Sequence, residues 1–313
     1  MKKTILILII ISVLSCRKDF YYDFDHIPQV NVSCFLKAGD TVRVRLSYLV
    51  GDTLFGTILA DKDYISKADV YLYEDNIFQE KLTYKEIPQI NFVEKGWYYS
   101  QYFIPTEKHH YNLKIHVPDY DTVYAETYIP EAIPIDSIQI NGEALKDSII
   151  FDRNLASSVP DGILDFSVNI FFKDKSGTTN YYDFWSNKFF ISYDPAIEPR
   201  YNREYYENIS LAALKIAFFS DEIFDGHTYA INTKFKIDDY KFDYISEFPI
   251  KLGLNSLSYD AYAFYKSSYL YLKSLDNPFT EPVIIYSNVK NGTGVFAGIS
   301  SVEDSFLIVP SQN

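Results

Sequence analysis

Histidines, cysteines and paired acids are the side chains here that could carry chemistry, and their spacing limits what they can do. The chain has 313 residues, with 5 His and 2 Cys. The histidines are His26, His109, His110, His116 and His227. On a strand, His110 and His116 share a face but stand about 20 Å apart. Ligands of one zinc ion must each reach it within about 2 Å, so these two need help from elsewhere. His109 and His110 point to opposite faces. The sequence holds no HExxH, no zinc-type cysteine pair and no G-x-S-x-G elbow. The acid pairs Asp61 and Asp63, Asp119 and Asp121, and Asp238 and Asp239 lack the twelve-residue calcium loop with its central glycine. They read as solvated turn acids. Gly292-x-Gly294-x-x-Ala297 loosely fits a dinucleotide fingerprint, but only 15 residues follow Gly298. That is too short for a crossover helix, a second strand and a ribose-binding acid. The expectation is a protein that is not an enzyme, with no catalytic residue, cofactor or metal.

Cys16 has a different chemistry. Met1-Lys2-Lys3 is a basic start, and Thr4 to Leu14 is an apolar run rich in Ile and Leu. As a helix, that run spans about 16 Å, against a bilayer core of roughly 30 Å. It therefore reads as a secretory signal and not as a membrane span. The run ends in Val13-Leu14-Ser15-Cys16, which resembles a bacterial lipobox. In a lipobox the cysteine thiol becomes a diacylglyceryl thioether before cleavage. The signal is expected over 1–15, with a lipid-anchored tether over 16–27. Arg17 stands where enteric bacteria place an inner-membrane retention Asp. No second apolar stretch approaches the length of a span, so the body is expected to sit on a bilayer through acylated Cys16. Cys34 falls in the alternating run Val30, Val32, Cys34, Leu36 and reads as a buried structural thiol.

Aromatic residues offer the remaining recognition chemistry. Tyr 29, Phe 24 and Trp 2 make 18% of the chain, against one Met. The stretch from Tyr181 to Tyr206 contains Trp185, Tyr193, Tyr201, Tyr205 and Tyr206, broken by Pro195, Pro199 and Arg200. Exposed rings there would stack on sugars or peptides, or dock on a partner. These five form the candidate ligand or partner surface, weighed against a plain aromatic core. The net charge of −13 excludes a phosphate-backbone partner, which needs a positive footprint.

The elements that must position these groups are mostly strands. From 28 to 131 the chain alternates in short runs: Val42, Val44, Leu46 and Tyr48; then Ala68, Val70 and Leu72; then Tyr111, Leu113, Ile115 and Val117. Six or seven strands in about 100 residues predict an immunoglobulin-like β-sandwich. Pro130 and Pro134 mark a boundary. A second β-rich domain is expected over 132–313. Its one main helix is predicted near 258–275, capped by Ser258 and carrying Ala261, Tyr265, Ser268 and Leu272 at helical spacing. The stretch 283–299, turning at Asn291-Gly292, reads as a hairpin with a type I′ turn.

Several stretches together resemble the Bacteroidota lipoproteins of domain-of-unknown-function family 4249. The fullest is Asn277-Pro278-Phe279-Thr280-Glu281-Pro282-Val283, then Tyr286-Ser287-Asn288-Val289 and Asn291-Gly292-Thr293-Gly294-Val295-Phe296-Ala297-Gly298. Asp174 with Asn180-Tyr181-Tyr182, and Ser220-Asp221 through Phe224-Asp225-Gly226, resemble two further family segments. Ala68-Asp69-Val70 and Ala125-Glu126-Thr127 match its early strands. The resemblance implies a surface or outer-membrane lipoprotein. It also implies an accessory or ligand-capturing partner of a TonB-dependent, SusC-type nutrient receptor. It brings no catalytic residues. The alternative is a free-standing adhesin or a glycan- or peptide-binding module.

Overall fold

The computed structural model describes residues 28–49, 64–86, 96–140, 143–144, 148–151, 163–186, 218–238, 250–275 and 283–310. The class is mainly β with a single helix among the described residues. The early strands are β1 (Gln29–Lys37), β2 (Arg43–Leu49), β3 (Asp69–Glu74), β4 (Ile77–Glu86), β5 (Gly96–Tyr99), β6 (His110–His116) and β7 (Val123–Tyr128). Their alternation has a plain physical cause. Successive strand side chains point to opposite faces, so Val30, Val32, Cys34 and Leu36 all face the core. They meet Val44, Leu46, Val70, Leu72, Leu113 and Ile115 there. The β3–β4 hairpin turns on Asp75 and Asn76, at φ 48° and 67°. Asp and Asn tolerate that left-handed geometry better than other side chains, and it matches the twist of the flanking strands.

Later strands are β8 (Ile135–Ile140), β9 (Glu143–Ala144), β10 (Ser148–Phe151), β11 (Ile163–Lys173), β12 (Tyr181–Ser186), β13 (Phe218–Ser220), β14 (Thr228–Asp238) and β15 (Ile250–Leu257). Helix α1 (Tyr259–Leu275), β16 (Val289–Lys290) and β17 (Thr293–Pro310) follow. One sheet runs β13-β12-β15-β17-β1-β2-β5-β4-β3-β6-β7-β16, with β10 attached to β17. A smaller sheet has the order β14-β11-β8-β9. The early strands are thus bonded neighbour to neighbour along one curled sheet. The ladders do not divide them into the two bonded sheets of an immunoglobulin-like sandwich.

β17 joins the early and late strands. Residues Thr293 to Ile299 pair in parallel with β1, and Ile299 to Phe306 pair antiparallel with β15. Hydrogen bonds therefore cross from the residues before Pro130 to those after it without a break. α1 covers this junction. Its Ala261 and Tyr265 pack on Val295, Ala297 and Ile299 of β17. Phe35, on the outer face of β1, stacks on Tyr265 with ring centroids 5.3 Å apart. Ser258 caps the helix, accepting from the Ala261 amide at 3.1 Å.

The expected type I′ hairpin at Asn291-Gly292 does not form. That turn needs positive φ at both central residues. Asn291 has it at 60°, but the next positive φ belongs to Gly294, at 104°. Residues 283–288 form no strand, and β16 pairs with β7 instead of β17. The Asn288 side chain replaces the missing ladder. Its amide donates to the Phe296 carbonyl at 2.7 Å and accepts from the Phe296 N–H at 3.0 Å.

Candidate functional site

Two turns connect the two sheets, and they lie side by side. One leads from β11 in the small sheet to β12 in the large one. The other leads from β13 in the large sheet back to β14 in the small one. β11 pairs with β14, and β12 with β13, so the ladders hold both turns together. The first turn carries Asp174 and Asn180, and the second carries Asp221, Asp225 and Gly226.

Asn180 is the hub. Its backbone N–H donates to Asp221 Oδ2 at 2.9 Å, and its carbonyl accepts from the Asp221 N–H at 3.1 Å. Its side-chain amide donates to Asp174 Oδ1 at 3.2 Å and to Asp221 Oδ2 at 3.2 Å. It also reaches the Lys175 and Thr178 carbonyls, both at 2.9 Å. Asp174 accepts from the Tyr182 hydroxyl in a short bond and from the Gly226 N–H at 2.7 Å. Asp225 accepts from the Gly177 N–H at 2.9 Å. Gly226 is required twice over. Its φ is +71°, and an added Cβ would stand 2.5 Å from the Ser176 Cβ.

Carboxylate oxygens of Asp174, Asp221 and Asp225 all lie within 4.8 Å of one another. Oxygen ligands so placed are the kind that hard cations take. Here N–H and O–H groups of the same two turns occupy them, so the cluster works as a lock between the sheets. Asp174 and Asp221 are buried. Burial holds the Asp221 carboxyl above the usual range, and the Asp174 charge adds to this. The Tyr182 phenol is also pushed up, first by burial and then by Asp174. Beneath the turns, Phe172, Tyr182, Phe219, Phe224 and Tyr229 fill the space with ring-on-ring contacts. Phe224 stacks on Tyr229 at 4.2 Å, and Phe172 meets Tyr182 edge-on at 5.0 Å.

A second network ties α1 to β7. Asp260, in the first turn of the helix, accepts from the Thr127 hydroxyl at 2.7 Å and the Tyr286 hydroxyl at 2.8 Å. The Gly298 N–H donates to Thr127 Oγ1 and to Ser258 Oγ, each at 3.1 Å.

The residues singled out from sequence fall as follows. Cys16, Tyr193, Tyr201, Tyr205 and Tyr206 lie outside the described residues, as do His26, Asp61, Asp63 and Asp239. Trp185 is on β12 and half-buried. Its indole lies so close over Gly253 of β15 that an added Cβ would stand 2.1 Å from Nε1. It packs on its cross-strand neighbour, Gly253. His109 Nδ1 sits 2.6 Å from Asp75 Oδ2, which raises the imidazole pKa and lowers that of the carboxyl. His110 meets the Tyr128 ring at 4.9 Å. His227 Nδ1 is 2.7 Å from the Asp225 carbonyl oxygen. The Cys34 thiol is buried and pushed up by desolvation. Sequence reasoning noticed both turn segments but not that they meet. The only signal was an acid and a Gly or Asn in each, and separation along the chain says nothing of distance in space.

Among the stretches on which the family likeness rests are these two turns and the Asn288 to Gly298 segment. The chain belongs to the family described as domain of unknown function DUF4249, which matches residues 17–305. No curated protein matches it.

Proposed function

We propose that this protein is a non-enzymatic, lipid-anchored outer-membrane protein that captures a ligand for, or otherwise assists, a TonB-dependent receptor of the SusC type. The observation that carries the reading is Cys16, directly behind a basic start and a short apolar run. The family's motifs support its non-enzymatic part. Among the described residues, Asp174, Asn180, Asp221 and Gly226 of these motifs are engaged in joining the two sheets, with Asp174 and Asp221 buried and bonded. An acidic body held at a membrane by lipid suits recognition at a surface.

Two measurements test this. Cys16→Ala should move the protein from the membrane to the soluble fraction. Retention on membranes in high salt would refute the lipid anchor. A tagged protein drawn from detergent-solubilised outer membrane should bring a barrel receptor with it in near-stoichiometric amount. Recovery without such a receptor refutes the partnership and leaves the free-standing adhesin or binding module.

A further inference from the structure

A groove of about 460 Å³ runs between the segment before β3 and the outer part of β4. That volume falls within the range of small-ligand sites. Its floor is Leu82, the buried ring of Tyr98 and the half-buried ring of Tyr84, whose centroid is 5.2 Å from that of Tyr98. The Tyr98 hydroxyl donates to the Ile65 carbonyl at 2.9 Å, which fixes the floor.

Lys67, Lys81 and His116 line the rim against one carboxylate, Asp69. Lys81 Nζ is 2.7 Å from Asp69 Oδ1, and His116 lies opposite Asp69 across the β3–β6 ladder. The groove thus gathers basic groups on a chain of net charge −13. The Lys81–Asp69 pair offsets part of this charge, and the remaining positive excess in a concave site draws anions to it. Ser66 and Thr83 add hydroxyls to the same lining.

We propose that this groove binds a uronic-acid oligosaccharide. The apolar face of a pyranose lies on Tyr84, its hydroxyls meet Ser66 and Thr83, and its carboxylate meets Lys67, Lys81 and His116. The inference rests on the ligand-capturing part of the proposed function and is independent of any receptor.

Calorimetric titration of the detergent-solubilised mature protein tests it, using galacturonate and mannuronate trimers. At least one trimer should bind saturably, and its methyl ester should bind roughly tenfold more weakly because the charge-assisted contacts are gone. The double variant Lys67→Gln/Lys81→Gln should lose a similar factor for the acid and little for the ester. Both lysines are exposed, and an unchanged melting temperature will show that the fold is intact. The proposal is overturned if neither trimer binds, if ester and acid bind alike, if the variant binds as the native protein does, or if triglutamate binds as tightly. None of these results touches the receptor pull-down, so the two claims fail separately.

Discussion

Gly294 holds a φ of +104°, and an added Cβ would stand 2.0 Å from the Val32 carbonyl oxygen. Both facts exclude a side chain, and the close approach is backbone, which cannot swing aside. Gly294→Ala should therefore destabilise by more than about 1 kcal/mol, the usual loss where native geometry rejects the new residue. Equilibrium denaturation measures this, and an unchanged midpoint would show that β17 can shift off β1. Cys34 is a gentler case. Its alternation with Val30, Val32 and Leu36 already placed it inside, because a one-residue slip would turn every apolar group outward. A thiol that burial keeps protonated should resist alkylation in the native protein and react fully in denaturant. Rapid labelling of the folded protein would contradict the packing.

The paired turns set out a test at the level of elements. Asp174 accepts on both oxygens, so an amide there must point one N–H₂ at a donor. Asp174→Asn should cost about 1–3 kcal/mol, the penalty for an unmatched buried polar group. Asp221→Asn differs, because it keeps an acceptor for Asn180 and removes a carboxylate that burial disfavours. The sign follows from the raised carboxyl. The unfolded chain releases this proton first, near the ordinary value of 3.8, and the folded chain releases it later. Within that window the native state holds more protons, so this group's contribution to stability falls as pH rises. Relative to native protein, Asp221→Asn should gain in melting temperature as pH rises above about 4, until the folded carboxyl has ionised. A constant difference between the two proteins would mean Asp221 titrates as an ordinary exposed acid. The turn segments were visible as strings of Asp, Asn and Gly. Their meeting was not, because it depends on β11 pairing with β14 and β12 with β13.

At the level of the whole molecule, β17 is the common strand. It bonds to β1 over its first part and to β15 over its later part, and α1 packs over the seam. Early and late strands should thus unfold together. The chain's 2 Trp report on this, with Trp97 on β5 and Trp185 on β12. Fluorescence of Trp97→Phe and Trp185→Phe variants should give thermal transitions shifted from the native midpoint only by the substitution itself. Circular dichroism on each variant should coincide with its own fluorescence. Two separated transitions would mean that the proline boundary, and not the shared strand, governs cooperativity.

The sequence by itself determined the β class, the inward-facing residues of the early strands, and the helix that Ser258 caps. These follow from local periodicity and local hydrogen bonds, which neighbouring residues settle among themselves. It also supplied the basic start, the apolar run and Cys16, on which the membrane reading depends. Tertiary structure alone decided that one curled sheet joins the early strands to the late ones, and that Asn288 stands in for a hairpin ladder. It alone set Trp185 against Gly253, closed Asp174, Asn180 and Asp221 into one lock, and gathered Lys67, Lys81 and His116 around a groove. Each of these is a meeting of residues far apart in the chain. Burial and backbone pairing across the whole molecule fix such meetings, and no spacing along a single strand encodes them.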